Sequence, residues 1–252
     1  MRSVAAAFVF FTRLPFWRLN AFRVSAEYFS QVINYWAVVG WLTGSVMAVS
    51  LWVGNLILPY SVAVIIAILS RLLITGALHE DGLADFTDGF GGGNTRERIL
   101  EIMKDSHIGT YGVIGLIFYF VLLYTLLSQL PLIWACSSIL IADPLCKYIS
   151  SYITRFLPYA RTADTSKSKT VYSKMTMKVF VLSSFFGLIP LFLIPDVKWL
   201  IAIAFPIIVF LSLIALMKNK IQGYTGDCCG ATFLLCELLL YLGVVIVYYN
   251  LI

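Results

Sequence analysis

An acidic stretch that leads into glycines contains the residues best suited to chemistry in this sequence. It covers residues 79–112 and reads HEDGLADFTDGFGGGNTRERILEIMKDSHIGTYG. If its first part is helical, Asp81, Asp85 and Asp88 stand at i, i+4 and i+7, so their carboxylates lie on one face. Three like charges on one face repel each other unless a cation lies among them, and carboxylate oxygens suit hard divalent ions. The spacing therefore predicts a site for Mg²⁺, with Mn²⁺ as the alternative.

Glycines follow these aspartates directly. Gly89 and the run Gly91-Gly92-Gly93 permit a close backbone approach to an anion, or a sharp turn between two helices. The simpler interpretation of the stretch is a solvated acidic loop that joins two helices. We favour the metal site because the aspartates adjoin an apolar segment of membrane length, where an unused charge is costly.

The composition of the chain is typical of a polytopic membrane protein. Of its 252 residues, 60% are hydrophobic and 12% are charged, and the mean hydropathy is +0.90. Soluble domains carry about 25% charged residues. The net charge of +5 is explained by loop lysines and arginines that set the topology, so we expect no nucleic-acid partner. The five cysteines form no CxxC pair and predict neither zinc nor disulfides.

Apolar segments of spanning length recur along the chain. Seven are predicted, at residues 34–54, 60–78, 109–130, 132–150, 178–195, 199–216 and 231–249. Basic residues concentrate before the first span and after the second, fourth and sixth, whereas the turns at Pro59 and Pro131 have none and that at Pro195 has only Lys198. This alternation predicts an all-α polytopic protein of about seven transmembrane helices, with its N-terminus inside and its C-terminus outside. The apolar run in residues 1–15 is too short to span and predicts an interfacial or re-entrant helix.

This topology brings three candidate loops to the cytoplasmic face. We expect residues 1–252 to form a single integral membrane domain, with an active site built from loops 79–108, 151–177 and 217–230. The basic loop 151–177 contains Arg155 and Arg161. It is either a topology determinant in contact with anionic lipid or a phosphate clamp that faces the metal, and the sequence leaves both interpretations open.

The segment before the last span is also rich in glycine. It reads GYTGDCCGAT over residues 223–232. Gly226 and the free amides of a helix start could hold a phosphate. Asp227 could be a helix cap or a further metal ligand.

Charged residues also occur inside the predicted spans. Asp143 and Lys147 stand at i and i+4 and can neutralise each other. Glu237 requires a partner in the membrane, and Arg71 and Lys147 are the candidates. For these residues a structural and a functional role are both open.

Five motifs, in this order, resemble the cobalamin (5′-phosphate) synthase family. They are FFTRLP at 10–15, GALHEDGLADFTDGFGGG at 76–93, RERILEIMKDSHIGTYG at 96–112, YAR at 159–161 and GYTGDCCGA at 223–231. The resemblance covers nearly the whole chain. It implies a multi-pass enzyme of the prokaryotic cytoplasmic (inner) membrane that joins adenosylcobinamide-GDP to α-ribazole or its 5′-phosphate, releases GMP and requires Mg²⁺.

The resemblance also assigns roles to residues of this chain. The implied metal ligands and catalytic carboxylates are Glu80, Asp81, Asp85 and Asp88. Among the substrate-binding residues, the resemblance implies Asp105, Gly226 and Asp227, and we further predict Gly91, Gly92, Arg96, Lys147, Arg155 and Arg161. The motifs also include Gly109 and Glu237. The chain departs from the family pattern at Lys104, His107 and Lys147, where arginine is common, and a lysine cannot bind a phosphate in the bidentate manner of arginine.

Two other functions fit parts of the pattern. CDP-alcohol phosphotransferases also place spaced aspartates at a membrane boundary, but their longer DGxxAR motif is absent, since Leu83-Ala84-Asp85 follows Asp81-Gly82. A cation transporter would place its acids near mid-membrane and often shows internal repeats, whereas here the acids cluster at one face. The expected partners are the two small-molecule substrates and the lipid bilayer, and the sequence leaves a homo-oligomer open.

Overall fold

The chain is helical throughout the part that the structure describes. The computed structural model describes residues 2–161, 172–173 and 175–251. The helices are α1 (Arg2–Phe11), α2 (Trp36–Gly54), α3 (Tyr60–Thr75), α4 (Leu78–Gly92), α5 (Arg96–Ile102), α6 (Thr110–Ser128), α7 (Leu132–Ser151), α8 (Ile153–Phe156), α9 (Met177–Leu188), α10 (Ala204–Ile221) and α11 (Gly226–Leu251). Short 3₁₀ helices cover Phe16–Arg18, Asn20–Phe22, Ala26–Tyr35, Ile189–Leu193 and Val197–Ile203. The prediction of an all-α protein is confirmed.

The predicted count of seven membrane spans is not confirmed. Within the described residues, five segments are long and apolar enough to cross a membrane: Ala26–Gly54, Thr110–Ser128, Leu132–Phe156, Val197–Ile221 and Gly226–Leu251. A sixth is added if α3 and α4, which meet at 90°, form one broken span. The predicted span 60–78 is interrupted after Thr75, and the predicted span 178–195 is a shorter apolar helix over Met177–Leu193 that changes to 3₁₀ geometry around Pro190.

The break between α3 and α4 is built by two left-handed residues. Gly76 has φ 64° and Ala77 has φ 56°. The Ala77 amide donates to the Leu72 carbonyl at 3.1 Å, which closes α3 in a Schellman-type end. The Arg13 side chain covers Gly76 so closely that a Cβ there would clash, and the Arg13 amide donates to the Ile74 carbonyl at 2.7 Å. The start of the acidic helix α4 is therefore fixed by the segment that follows α1.

The centre of the fold is α11, which packs against α4, α6, α7 and α10. Its packing against α4 uses glycines on both helices. A Cβ on Gly82 would lie 3.0 Å from the Asp227 carbonyl oxygen, and one on Gly230 would lie 3.2 Å from the His79 carbonyl oxygen. These short approaches bring the first turns of α4 and α11 side by side.

Two buried ion pairs lie among the spanning helices. Arg71 of α3 pairs with Glu237 of α11 and donates to the Tyr119 hydroxyl of α6 at 2.7 Å. Lys147 of α7 pairs with Asp143 of the same helix. The structure thus pairs Glu237 with Arg71, one of its two candidate partners.

Lys147 lies deep in the helix bundle. Its side chain has 0% exposure, and its ammonium donates to the Thr43 hydroxyl at 2.6 Å as well as to Asp143. The ammonium also lies 4.7 Å from the centre of the Phe233 ring. These contacts are those of a cation inside the bundle, and substrate binding by Lys147 stays a prediction.

Candidate active site

The four acids of the first motif occupy different environments on α4. Asp81 is exposed, Asp85 is half-buried, and Glu80 and Asp88 are buried at 4% and 7% exposure. One oxygen of Glu80, Oε2, is buried without a hydrogen-bond partner. The three aspartates share a helix, as predicted, but neighbouring helices cover its far end. The common face predicted from the spacing is therefore divided between solvent and the protein interior.

Asp88 caps another helix. Its Oδ2 accepts a hydrogen bond from the Gly109 amide at 2.7 Å, and its Oδ1 accepts one from the Gly112 amide at 2.8 Å. Both amides belong to the start of α6, whose unpaired N–H groups favour a negative charge. A Cβ on Gly109 or Gly112 would clash with the carboxylate. This arrangement explains the glycines of the KDSHIGTYG motif as the residues that admit Asp88.

The three candidate loops meet at one end of the bundle. Arg96 at the start of α5 donates from Nε to the Ile221 carbonyl at 2.9 Å and from a terminal nitrogen to the Ala160 carbonyl at 2.8 Å. Arg161 donates to the Leu100 carbonyl at 3.1 Å. Arg96 is predicted to bind substrate, and in the structure its side chain connects the first loop to the other two through hydrogen bonds.

A short β-bridge fixes two of these loops to each other. The Ala160 amide donates to the Tyr224 carbonyl at 2.8 Å, and the Tyr224 amide donates to the Pro158 carbonyl at 2.9 Å. The Tyr224 side chain is buried, and this burial raises the pKa of its hydroxyl well above the ordinary value, so the group stays neutral. The bridge places Arg161 beside the start of α11.

A cavity of about 260 Å³ lies where these elements meet. Its polar lining comprises Asp81, Arg161, Gly226 and Asp227. Its apolar lining comprises Phe10, Phe11, Ile33, Trp36 and Leu78. Tyr159, Tyr172, His79, Cys229 and Gly230 complete it. Two acids and one arginine thus share a cavity with the exposed start of a helix, which is an arrangement suited to a phosphate and a divalent cation.

Several predicted residues lie away from this cavity. Gly91 packs against the Tyr111 ring and Gly92 against Ile102. Arg155 lines a different cavity, of about 440 Å³, at the ends of α7 and α9. Among the four acids of the first motif, the structure places only Asp81 in the lining of the smaller cavity.

Asp105 is an exposed loop residue. Its Oδ1 accepts a hydrogen bond from the His107 amide at 3.0 Å and contacts the His107 ring nitrogen Nδ1 at 2.7 Å. These two interactions lower the pKa of the Asp105 carboxyl below its ordinary value. Asp105 is predicted to bind substrate, and the contacts found here are those of a loop turn. The lysines of the same loop as Arg155 and Arg161, namely Lys167, Lys169 and Lys174, lie outside the described residues.

The acidic residues can hold a metal ion only if a bound substrate supplies further oxygen atoms to it. In the described part of the chain, no group of three or more His, Cys, Asp or Glu side chains could hold a metal ion by itself. Mg²⁺, however, commonly takes one or two protein carboxylates and completes its octahedron with water and substrate phosphates. Asp81 and Asp227 supply two such carboxylates in one cavity. The donor set therefore fits a Mg²⁺ ion that binds together with a phosphorylated substrate.

The sequence patterns missed the apolar lining. Phe10 and Phe11 stand in the FFTRLP motif, but an aromatic pair in a membrane protein is most often ordinary packing. Trp36 and Ile33 carry no local signal for a site. The available signal was Arg13 in the same motif. Its amide is bonded to the end of α3, and this contact holds the end of α1 near the acidic helix α4.

Comparisons with known proteins agree with one another. The model of the family described as cobalamin-5-phosphate synthase matches residues 3–245. A relative from Leptospira interrogans named adenosylcobinamide-GDP ribazoletransferase is 38% identical over 254 residues, which cover 96% of this chain and 94% of the relative. Relatives of the same name from Vibrio parahaemolyticus and Shewanella oneidensis are 38% and 32% identical over 99% and 94% of this chain, with 94% and 91% of each relative covered. No solved structure matches the chain.

Proposed function

Since the chain belongs to the cobalamin-5-phosphate synthase family, we propose that it transfers the adenosylcobinamide phosphate group of adenosylcobinamide-GDP to α-ribazole or its 5′-phosphate and releases GMP. The observation that carries the assignment of the site is the cavity in which Asp81, Asp227 and Arg161 meet the start of α11. The family match favours neither the CDP-alcohol phosphotransferase nor the transporter.

The residues of the cavity suit a displacement at phosphorus. A ribose hydroxyl of the ribazole forms the new bond to the phosphorus on the cobinamide side, and the bond from that phosphorus to the oxygen of GMP breaks. Arg161 and the first amides of α11 bind the diphosphate, whose charge must be held in position during transfer. An oxygen of Asp81 accepts the proton of the attacking hydroxyl.

We propose that Asp81 and Asp227 hold Mg²⁺ together with the diphosphate. Each carboxylate has two oxygens, so one oxygen of Asp81 can bind the ion while the other accepts the proton. When bound, Mg²⁺ neutralises the diphosphate and stabilises the phosphate of the departing GMP. We leave Asp88 out of this set because its oxygens accept hydrogen bonds from the start of α6 and it lies outside the cavity lining.

The proposal includes a membrane topology. We infer seven crossings if the short helices Tyr60–Thr75 and Met177–Leu193 each cross, which leaves the N-terminus inside and the C-terminus outside the cytoplasmic membrane. The basic residues near the cavity then face the cytoplasm, where nucleotides are available. Alkaline phosphatase fused after residue 251 should be active, and fused after Ile221 should be inactive. Activity at both positions would contradict this topology.

The test of the reaction is GMP release by the purified protein in detergent. Adenosylcobinamide-GDP, α-ribazole 5′-phosphate and Mg²⁺ should together yield GMP, and omission of the ribazole or addition of a chelator should abolish its release. Asp81→Asn should remove activity without a change in thermal midpoint. Glu97→Gln is the matched control, since Glu97 is an exposed carboxylate outside the cavity and its loss should have no effect. GMP release that needs no ribazole would indicate a hydrolase, and full activity of Asp81→Asn would contradict the assignment of the site.

A further inference from the structure

The apolar lining of the cavity is a set of interlocked rings. Phe11 stacks on Trp36, with ring centres 5.1 Å apart and planes at 16°. Phe10 meets Phe11 edge to face at 4.9 Å, and His79 meets Trp36 edge to face at 5.3 Å. Because each ring is held by its neighbour, the surface that they present to the cavity is fixed. Such a surface binds a flat, weakly polar ring without reorganisation.

Two polar atoms of these rings are buried. Trp36 Nε1 and His79 Nε2 have no hydrogen-bond partner among the described residues. A ring that lies against Phe10, Phe11, Ile33 and Leu78 meets side chains that carry no hydrogen-bonding group. A base with several donors and acceptors on its edge would lose its hydrogen bonds to water there, whereas a methylated benzimidazole would lose few.

We propose that the apolar lining binds the dimethylbenzimidazole base of the ribazole and thereby selects the acceptor. This inference rests on the proposed function. Guanine, the base of the departing nucleotide, carries several hydrogen-bonding groups on its edge and is disfavoured by the same surface. The size of the cavity agrees, because about 260 Å³ lies just below the roughly 300–1,000 Å³ typical of ligand pockets and so favours a small ring over a corrin.

The position of Leu78 connects the base to the chemistry. Leu78 belongs to the apolar lining and Asp81 to the polar lining, and both stand in the first turn of α4. A base held against Leu78 and Phe10 therefore sets its ribose beside the Asp81 carboxylate. There the hydroxyl can lose its proton to Asp81 and bond to the cobinamide-side phosphorus as the bond to GMP breaks.

The test compares two phenylalanines of the same helix. Phe10 lines the cavity, whereas Phe8 faces the rings of Phe16 and Phe22 outside it. Phe10→Ala should raise the KM for α-ribazole 5′-phosphate about tenfold, the effect of one lost aromatic contact, and leave the KM for adenosylcobinamide-GDP unchanged. Phe8→Ala should change neither KM. Phe10→Leu, which keeps an apolar side chain, should give an intermediate KM and serves if the alanine variant does not fold.

Acceptor analogues and direct binding separate this inference from the proposed function. The wild-type protein should prefer the dimethylated base over unsubstituted benzimidazole, and Phe10→Ala should reduce that preference. In equilibrium dialysis without adenosylcobinamide-GDP, α-ribazole 5′-phosphate should bind the wild type more tightly than Phe10→Ala. Weakened binding in a protein that never releases GMP would support the inference and contradict the proposed function. An unchanged KM for the ribazole in both Phe10 variants, or a raised KM for adenosylcobinamide-GDP instead, would overturn the inference.

Discussion

Replacement of Asp88 separates a structural role for this residue from a catalytic one. Its two oxygens accept hydrogen bonds from the amides of Gly109 and Gly112 at 2.7 and 2.8 Å, and the residue is 7% exposed. Asp88→Ala removes both bonds and leaves two N–H groups at the start of α6 without partners. Asp88→Asn retains one acceptor oxygen and presents an N–H₂ group to the second amide.

The expected loss of stability follows from these bonds. A hydrogen bond to a charged group contributes about 1.5–3 kcal/mol, and loss of an N-terminal cap costs about 0.5–2 kcal/mol in measured series. Two such bonds would together contribute about 3–6 kcal/mol, whereas the whole cap costs about 0.5–2 kcal/mol, so between the cap value and the sum of the bonds we expect Asp88→Ala to lower the free energy of unfolding by about 2–4 kcal/mol. At about 2–4 °C per kcal/mol for a chain of this length, the thermal midpoint should fall by roughly 4–16 °C. Asp88→Asn should lose about half as much.

The assay pairs the thermal midpoint in detergent with GMP release measured well below that midpoint. Asp88→Asn should retain most of the wild-type kcat, because Asp88 lies outside the cavity lining. Asp81→Asn should show the reverse pattern, with a normal midpoint and no turnover. If Asp88→Asn keeps the wild-type midpoint and loses turnover, Asp88 is a ligand in the reaction and the capping argument is wrong.

Three further predictions concern packing and charge. Gly109→Ala should lower the thermal midpoint because its methyl group would displace the capping carboxylate, whereas Gly226→Ala should not, since no atom lies within 4 Å of the added carbon. Arg71→Met should cost about 3–5 kcal/mol because it leaves Glu237 buried and unpaired, and Arg71→Met with Glu237→Leu should recover much of that loss in a double-mutant cycle. Asp105 has a lowered pKa in the folded protein, so its charge stabilises the fold above its ordinary pKa of 3.8 and this contribution is lost as the pH falls below it. The difference in midpoint between Asp105→Asn and the wild type should therefore be present at pH 7 and disappear in acid.

The helical class was predictable because hydropathy is a local property of the chain. The number of spans was less predictable. Hydropathy does not detect the left-handed pair at Gly76 and Ala77 or the 3₁₀ geometry around Pro190. Both interruptions depend on backbone conformation, so hydropathy averaged over a window of apolar residues does not detect them.

The site was predictable in composition but not in arrangement. Helical spacing placed Asp81 and Asp88 on one face, but it could not show that the start of α6 covers the far end of that face. The i, i+3, i+6 spacing of Gly109, Gly112 and Gly115 was the available signal, because residues three apart are neighbours on a helix surface and a Cβ at each of these glycines would meet Asp88 or Thr87 of α4. The proximity of Asp227 to Asp81 depends on tertiary contacts of α4 with α11 and had no local signal.

The two buried ion pairs place different demands on biosynthesis. Asp143 and Lys147 enter the membrane on one helix and arrive already neutralised. Arg71 is made 166 residues before its partner Glu237. At about 5–20 residues per second, the ribosome takes roughly 8–33 s to supply that partner. During this interval an arginine that costs about 2.5–3.5 kcal/mol at the centre of a bilayer has no counterion from α11. Of its two described partners, only the Tyr119 hydroxyl of α6 is made before the last helix, so the charge of Arg71 is neutralised last.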